Sequence, residues 1–210
     1  MSADRRRPWA GHRILGVRPD TITSVDTSEK ASVIATLVSA FIADPVERWL
    51  FAEPLQYLTH FPTFVAAFGM AGFASETVFK LGDFAAVAVW IPPGVEADGD
   101  AIVAALSGSV PSDKHADMFS VLEQMDAAHP QELHWYLPWL GVDAALQGAG
   151  LGAALLSHGL ARVDADRLPA FLETPNPRTV PFYERHGFVV SSVSKAGACP
   201  PVTSMRRPAT

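Results

Sequence analysis

A chain of 210 residues, 49% hydrophobic and 18% charged, can bury one substantial core, so a single domain is expected over residues 21–210 behind a flexible tail at 1–20. The net charge of −6 argues against a nucleic-acid partner, and one cysteine, Cys199, excludes an internal disulfide framework. The apolar stretches fall short of the ~20 residues a membrane span needs, and no continuous apolar run follows Arg7 as a secretory signal would require, so a cytoplasmic protein without a membrane partner is expected.

Arg5, Arg6 and Arg7, with Arg13 and Arg18 nearby, precede any periodic pattern and are interspersed with Pro8, Gly11 and Pro19, which fits a mobile tail. Residues 21–27 alternate like a short strand. Ser28 and Glu29 then open an apolar pattern at Val33, Ile34, Leu37, Val38, Phe41 and Ile42, an amphipathic helix ended by Asp44 and Pro45. A second helical region carries Trp49, Phe51, Leu55, Tyr57, Phe61, Phe64 and Phe68. Pro54 and Pro62 are expected to break it into pieces that cannot all face one core, leaving some aromatics to line a pocket.

Residues 73–81 and 84–91 read as an antiparallel hairpin around Gly82-Asp83, closed by Pro92, Pro93 and Gly94. Helices over 100–106 and 117–127 lead to a strand over 134–142. Pro138 cannot donate to a ladder, so this strand is either an edge or bulged there. After the turn at 147–152 comes a helix with Leu151, Leu155, Leu156, Leu160 and Val163 on one face, then a strand over 170–173. Asn176 and Pro177 cap a short helix that Gly187 stops, and strands over 188–194 and 202–205 complete the chain.

Gln147-Gly148-Ala149-Gly150-Leu151-Gly152 lies between a strand and a helix, the layout of an anion site. Glycines admit a phosphate close to the backbone, and the free amides and dipole of the helix start favour negative charge. Gly148-x-Gly150-x-x-Ala153 also fits a dinucleotide fingerprint, which would suit an oxidoreductase. That reading needs several strand-helix units after the loop, and too little chain follows Gly152 to supply them. A phosphate-gripping lysine is missing, which excludes a nucleoside-triphosphate loop.

From His134 to Val190 the chain resembles the GNAT superfamily of acyltransferases. The resemblance rests on Leu140-Gly141-Val142 running into Gln147–Gly152, and on Asn176 followed by Pro181-Phe182-Tyr183-Glu184-Arg185-His186-Gly187-Phe188. Trp90-Ile91-Pro92-Pro93-Gly94 and His134-Trp135-Tyr136-Leu137 are similar to a branch that includes puromycin N-acetyltransferase. Ala144 and Leu146 stand where the family often has proline and a basic residue, which leaves the backbone amides in place. The resemblance implies an α/β fold with a mixed, mostly antiparallel sheet of six to seven strands, helices on both faces, and acetyl-CoA as cosubstrate. Its pyrophosphate would lie on the amides of 147–152, its pantetheine arm between the strands over 134–142 and 170–173. Leu140, Gly141 and Val142 would face it, and a homodimer is one assembly common in the superfamily.

Acetylation of an amine needs a neutral nitrogen, a polarised carbonyl and a proton for the departing thiolate. Tyr183 is the expected acid, because a phenol of reference pKa ~10 is protonated at neutral pH. Asn176 is a helix cap, a pantetheine contact, or both. The base is open between Glu173 and His134, with Glu76 a third candidate. Trp49, Trp90 and Trp139 are expected to shape the acceptor pocket, and so many aromatics point to an apolar or planar small-molecule amine over a polycation. A CoA-binding module without catalysis is the alternative.

Overall fold

The computed structural model describes residues 21–210, so the tail expected over 1–20 lies outside the described residues. The elements are β1 (Ile22–Ser24), α1 (Lys30–Ala40), α2 (Pro45–Leu50), α3 (Pro54–Ala74), β2 (Val78–Leu81), β3 (Ala86–Ile91), α4 (Gly99–Ser107), α5 (His115–Ala128), β4 (Trp135–Val142), α6 (Leu151–Asp166), β5 (Ala170–Thr174), α7 (Val180–Glu184), β6 (Val189–Ser194) and β7 (Val202–Arg207). The strands form one sheet in the order β1-β2-β3-β4-β5-β7-β6. Among the described strands only β4 and β5 run parallel. This is the mixed, mostly antiparallel sheet expected, and it excludes the parallel sheet of a Rossmann domain.

Local signals start the first helices. Asp26 and Glu29 form a capping box ahead of α1, with the Ser28 amide donating to Asp26 at 2.8 Å and the Asp26 amide to Glu29 at 3.2 Å. Asp44 accepts from the Val46 amide at 2.9 Å to cap α2, with Pro45 in its first turn.

The expectation that prolines divide the second helical region is corrected: α3 runs unbroken for 21 residues. Pro54 sits in its first turn, where an amide would have no helical partner anyway. Pro62 is interior and costs about 3 kcal/mol. Against that, Tyr57, Phe61, Phe64 and Val65 form one buried stripe that continues through Pro62, each ring contributing roughly 1.5–3 kcal/mol of burial. Phe73 belongs to this helix and not to the hairpin, which begins at Val78.

Helices cover both faces of the sheet. Val87, Val89 and Trp139 face the cluster built with α1, α3 and α5, while Ala86, Ala88, Trp90, Trp135 and Leu137 face α6. Trp135 and Leu137 point to the α6 side and Trp139 to the other, so the two-residue alternation slips by one at Pro138. The pairing agrees: Val89 lies opposite Trp139 and Ile91 opposite Tyr136, which leaves one extra residue on β4. Pro138 therefore marks a bulge in an interior strand, which disposes of the edge alternative.

Candidate active site

The bulge opens the site. β4 pairs with β5 only from Trp135 opposite Ala170 to Leu137 opposite Leu172. Beyond Leu137 it keeps its β3 ladder as far as Val142 opposite Ala86, so its other edge has no strand partner among the described residues. Into this gap opens a cavity of about 140 Å³, lined by Pro138 and Leu140 of β4, Glu173 and Thr174 of β5, Asn176, and Tyr183 of α7.

Glu173 accepts a hydrogen bond from the Tyr136 hydroxyl at 2.7 Å. Burial raises its carboxyl to about 7; the Tyr136 bond works against that rise, and Asp126 adds to it. Such a group exchanges protons near neutrality. Tyr183 is 9% exposed, and burial pushes its phenol above the ordinary value, so it keeps its proton. Asn176 caps the turn before α7, accepting from the Arg178 amide at 3.1 Å, and also lines the cavity, so both readings of that residue remain compatible with its position.

The glycine turn lies at the far end of β4. Gly148 and Gly150 have φ of +79° and +84°, and none of the described residues stands within 4 Å of where a Cβ would be on either. The turn thus needs glycine for its backbone angles and presents open space above it. The first bond inside α6 runs from the Ala154 amide to the Gly150 carbonyl at 3.1 Å, and among the described residues the earlier amides of the helix have no backbone partner, which leaves them to an anion. Asp143 shapes the approach, accepting from the Ala145 amide at 2.9 Å and from Ser39 at 3.2 Å. The Gln147 side chain turns inward, donating to the carbonyls of Ala40 and Val142 at 3.3 and 3.2 Å. It braces the loop. An open cradle with free amides, leading to a gap in the sheet, fits a phosphate-bearing cosubstrate with a long arm. Gly141 is glycine for another reason: a Cβ there would lie 2.7 Å from Leu37 and 3.0 Å from Ala40 of α1.

The other expected residues are dispersed. Trp139 lines the cavity, whereas Trp90 is buried on the opposite face against Gly159 of α6, and Trp49 packs beside Val121 and Cys199. Glu76 is exposed in the turn between α3 and β2. His134 lines a second, wider cavity of about 770 Å³. Its Nδ1 donates to the Glu132 carbonyl at 2.7 Å, and its Nε2 lies 3.0 Å from His129 Nε2. Burial lowers His129 to about 4, so its ring is neutral at pH 7. Phe68, Leu122, Met125, Tyr136 and Glu173 line both cavities and form the wall between them.

Two residues at the inner cavity carry no signal of function in the sequence, where Asp44 reads only as a helix stop. Asp44 is 6% exposed and Glu47 4%, and Glu47 Oε2 has no hydrogen-bond partner among the described residues. Burial raises both, Asp44 to about 6, and Asp44 pushes Glu47 further upward. Among the described residues no Lys, Arg or His lines this cavity. The aromatic content points to an apolar or planar acceptor over a polycation, which would call for acidic side chains; the pocket has aromatic walls and carboxylates together.

Residues 59–188 match the acetyltransferase (GNAT) family. An uncharacterized N-acetyltransferase of Schizosaccharomyces pombe is 27% identical over 197 residues, covering 79% of this chain and 72% of its own. A solved structure described as histone acetyltransferase HPA2 and related acetyltransferase, from Corynebacterium glutamicum, is 22% identical with a TM-score of 0.64, covering 90% of this chain and 96% of its own. Arylalkylamine N-acetyltransferase 2 from Aedes aegypti is 13% identical with a TM-score of 0.62, covering 89% and 97%. At these identities the solved structures establish a shared fold.

Proposed function

This chain belongs to the acetyltransferase (GNAT) family and is an acetyl-CoA-dependent acyltransferase, and from that premise we propose that it N-acetylates the primary amine of a small-molecule acceptor. The observation that carries the proposal is the inner cavity, which brings Glu173, Asn176 and Tyr183 to one opening beside the gap between β4 and β5.

Acetyl-CoA supplies the activated acetyl thioester. The free amides of 148–152 and the start of α6 hold its phosphates, and the unpaired edge of β4 from Pro138 to Val142 lies along its arm. Leu140 and Asn176 flank the reacting end. Glu173 takes the proton that the attacking nitrogen must shed, with Tyr136 orienting the carboxylate through the 2.7 Å bond. Tyr183 donates a hydrogen bond to the departing sulfur. The resemblance to the branch containing puromycin N-acetyltransferase rests on the sequence layout at 90–94 and 134–137.

Gly150→Val tests the cradle. Valine is strained at φ +84° and places methyl groups in the open space the phosphates need. The thermal stabilisation that acetyl-CoA gives the wild type should vanish in the variant, measured against each protein's own unliganded Tm. A rise equal to the wild type's removes the site. Thiol release across a panel of amines tests catalysis, and binding of acetyl-CoA without release from any amine would make the protein a binding module.

A further inference from the structure

Glu47 is unusual in this cavity. Its side chain is almost fully enclosed, Asp44 is its neighbour, and among the described residues one of its oxygens has no partner and none that lines the space carries a positive charge. A buried carboxylate without a counter-charge is costly, and two together more so. The counter-charge can come from the molecule that enters. Asp44 already accepts from the amides of Val46 and Glu47, at 2.9 and 3.4 Å, so its position is fixed by α2 whether or not a ligand is bound. Glu47 Oε2 is the acceptor left over.

The outer cavity points to the same chemistry. Glu96, Asp100, Glu123, Asp126 and Glu132 line it, and among the described residues it has no Lys or Arg. Glu132 is bonded to Arg206 at 2.5 Å, a pair about half exposed on both sides. The wall between the two cavities contains Tyr136 and Glu173, so the acidic vestibule abuts the reacting centre.

Resting on the amine N-acetyltransferase reading, we propose that the acceptor is a diamine, with one nitrogen presented to Glu173 and the other held as an ammonium by Glu47 and Asp44. The reacting nitrogen must be neutral when it attacks, whereas a carboxylate pair holds an ammonium charged, so the pair suits the nitrogen that does not react. Phe41, Phe64, Met118 and Trp139 complete a mainly apolar wall, which suits the methylene chain joining the two.

The test follows thiol release from acetyl-CoA with diaminobutane and with butylamine, in wild type and Glu47→Gln. Wild type should favour the diamine by roughly 30-fold or more in kcat/KM, the scale of removing one partner of a buried charge pair. In Glu47→Gln the ratio should fall to within a few-fold, chiefly through KM for the diamine. Asp44→Asn, which keeps the capping oxygen, should lower the ratio in the same direction and serves if Glu47→Gln does not fold. Butylamine turned over as efficiently as diaminobutane by the wild type overturns the diamine while leaving the N-acetyltransferase intact. A ratio unchanged in both variants makes Glu47 a buried, protonated structural group and also overturns it. Thiol release from neither amine, with acetyl-CoA still stabilising the protein, overturns the diamine, and the wider panel of amines then decides the N-acetyltransferase reading.

Discussion

In the proposed reaction Tyr136, Glu173 and Tyr183 would divide the proton work by their surroundings. Glu173 can accept a proton only after losing its own, so kcat at saturating acceptor should rise as pH passes about 7 and level off above it. Its charged neighbour is Asp126, which raises the value, and His129 nearby is neutral at that pH. Tyr136→Phe removes the hydrogen bond that favours the carboxylate, so the midpoint of the profile should move upward; a midpoint that stays put removes Tyr136 from the positioning role. Tyr183 acts in a different sense from a simple acid. Its phenol is raised further by burial, while a thiol has a reference value of ~8.5, so complete proton transfer to the thiolate runs uphill. The gain lies in a hydrogen bond to the charge developing on sulfur. Tyr183→Phe keeps the ring and deletes the donor, so kcat should fall by ~10²-fold with little change in the acetyl-CoA-induced Tm shift. A near wild-type kcat, with chemistry rate-limiting, would make Tyr183 a packing residue.

Helix α6 is both the floor of the cradle and the lid on Trp90. A Cβ on Gly159 would lie 2.1 Å from Trp90 Nε1 and 2.5 Å from Cε2, far inside van der Waals contact. Gly159→Ala would gain ~1 kcal/mol of helix propensity, but overpacking of a fully buried ring costs about 1–3 kcal/mol and should win. Urea unfolding should show a net loss, with partial recovery when Trp90→Phe is added; a stabilised single variant would mean that α6 shifts freely. Element by element, what could be read from the sequence was what local chemistry dictates. The capping pair Asn176-Pro177, the αL glycines of 147–152 and the bulge at Pro138 are each written in a few neighbouring residues. The continuity of α3 was hidden because Pro62 is a strong local breaker, outweighed by burial of a stripe whose partners lie elsewhere in the chain. The face of each tryptophan was hidden for a related reason. Alternation sets Trp90 opposite Val89, but only the assembled sheet tells which face carries the cavity, and the slip at Pro138 brings Trp139 to it. Asp44 read as a helix stop, and nothing near Glu47 in sequence signals that its carboxylate is enclosed.

At the scale of the whole molecule the two substrates pose opposite electrostatic problems. The protein carries a net charge of −6 and the proposed acceptor is a dication, while acetyl-CoA is a polyanion. In the proposed reaction backbone amides at the start of α6 would meet the anion, a short-range arrangement that lends the protein no net charge. The vestibule of Glu96, Asp100, Glu123 and Asp126 would meet the proposed cation with a field that reaches into solvent. Screening separates the two effects, because the Debye length falls from about 30 Å at 0.01 M salt to about 8 Å at 0.15 M. Over that range kcat/KM for diaminobutane should fall several-fold, while kcat/KM for acetyl-CoA should hold or rise as repulsion from the net negative protein is screened. Butylamine, with one charge, should show a shallower fall than the diamine. Neutralising Glu123 and Asp126 together, Glu123→Gln with Asp126→Asn, should flatten the diamine's dependence, because the steering charge is removed before salt can screen it. Were both substrates to lose efficiency in parallel, the cause would be a general salt effect on the protein, and the vestibule would have no steering role.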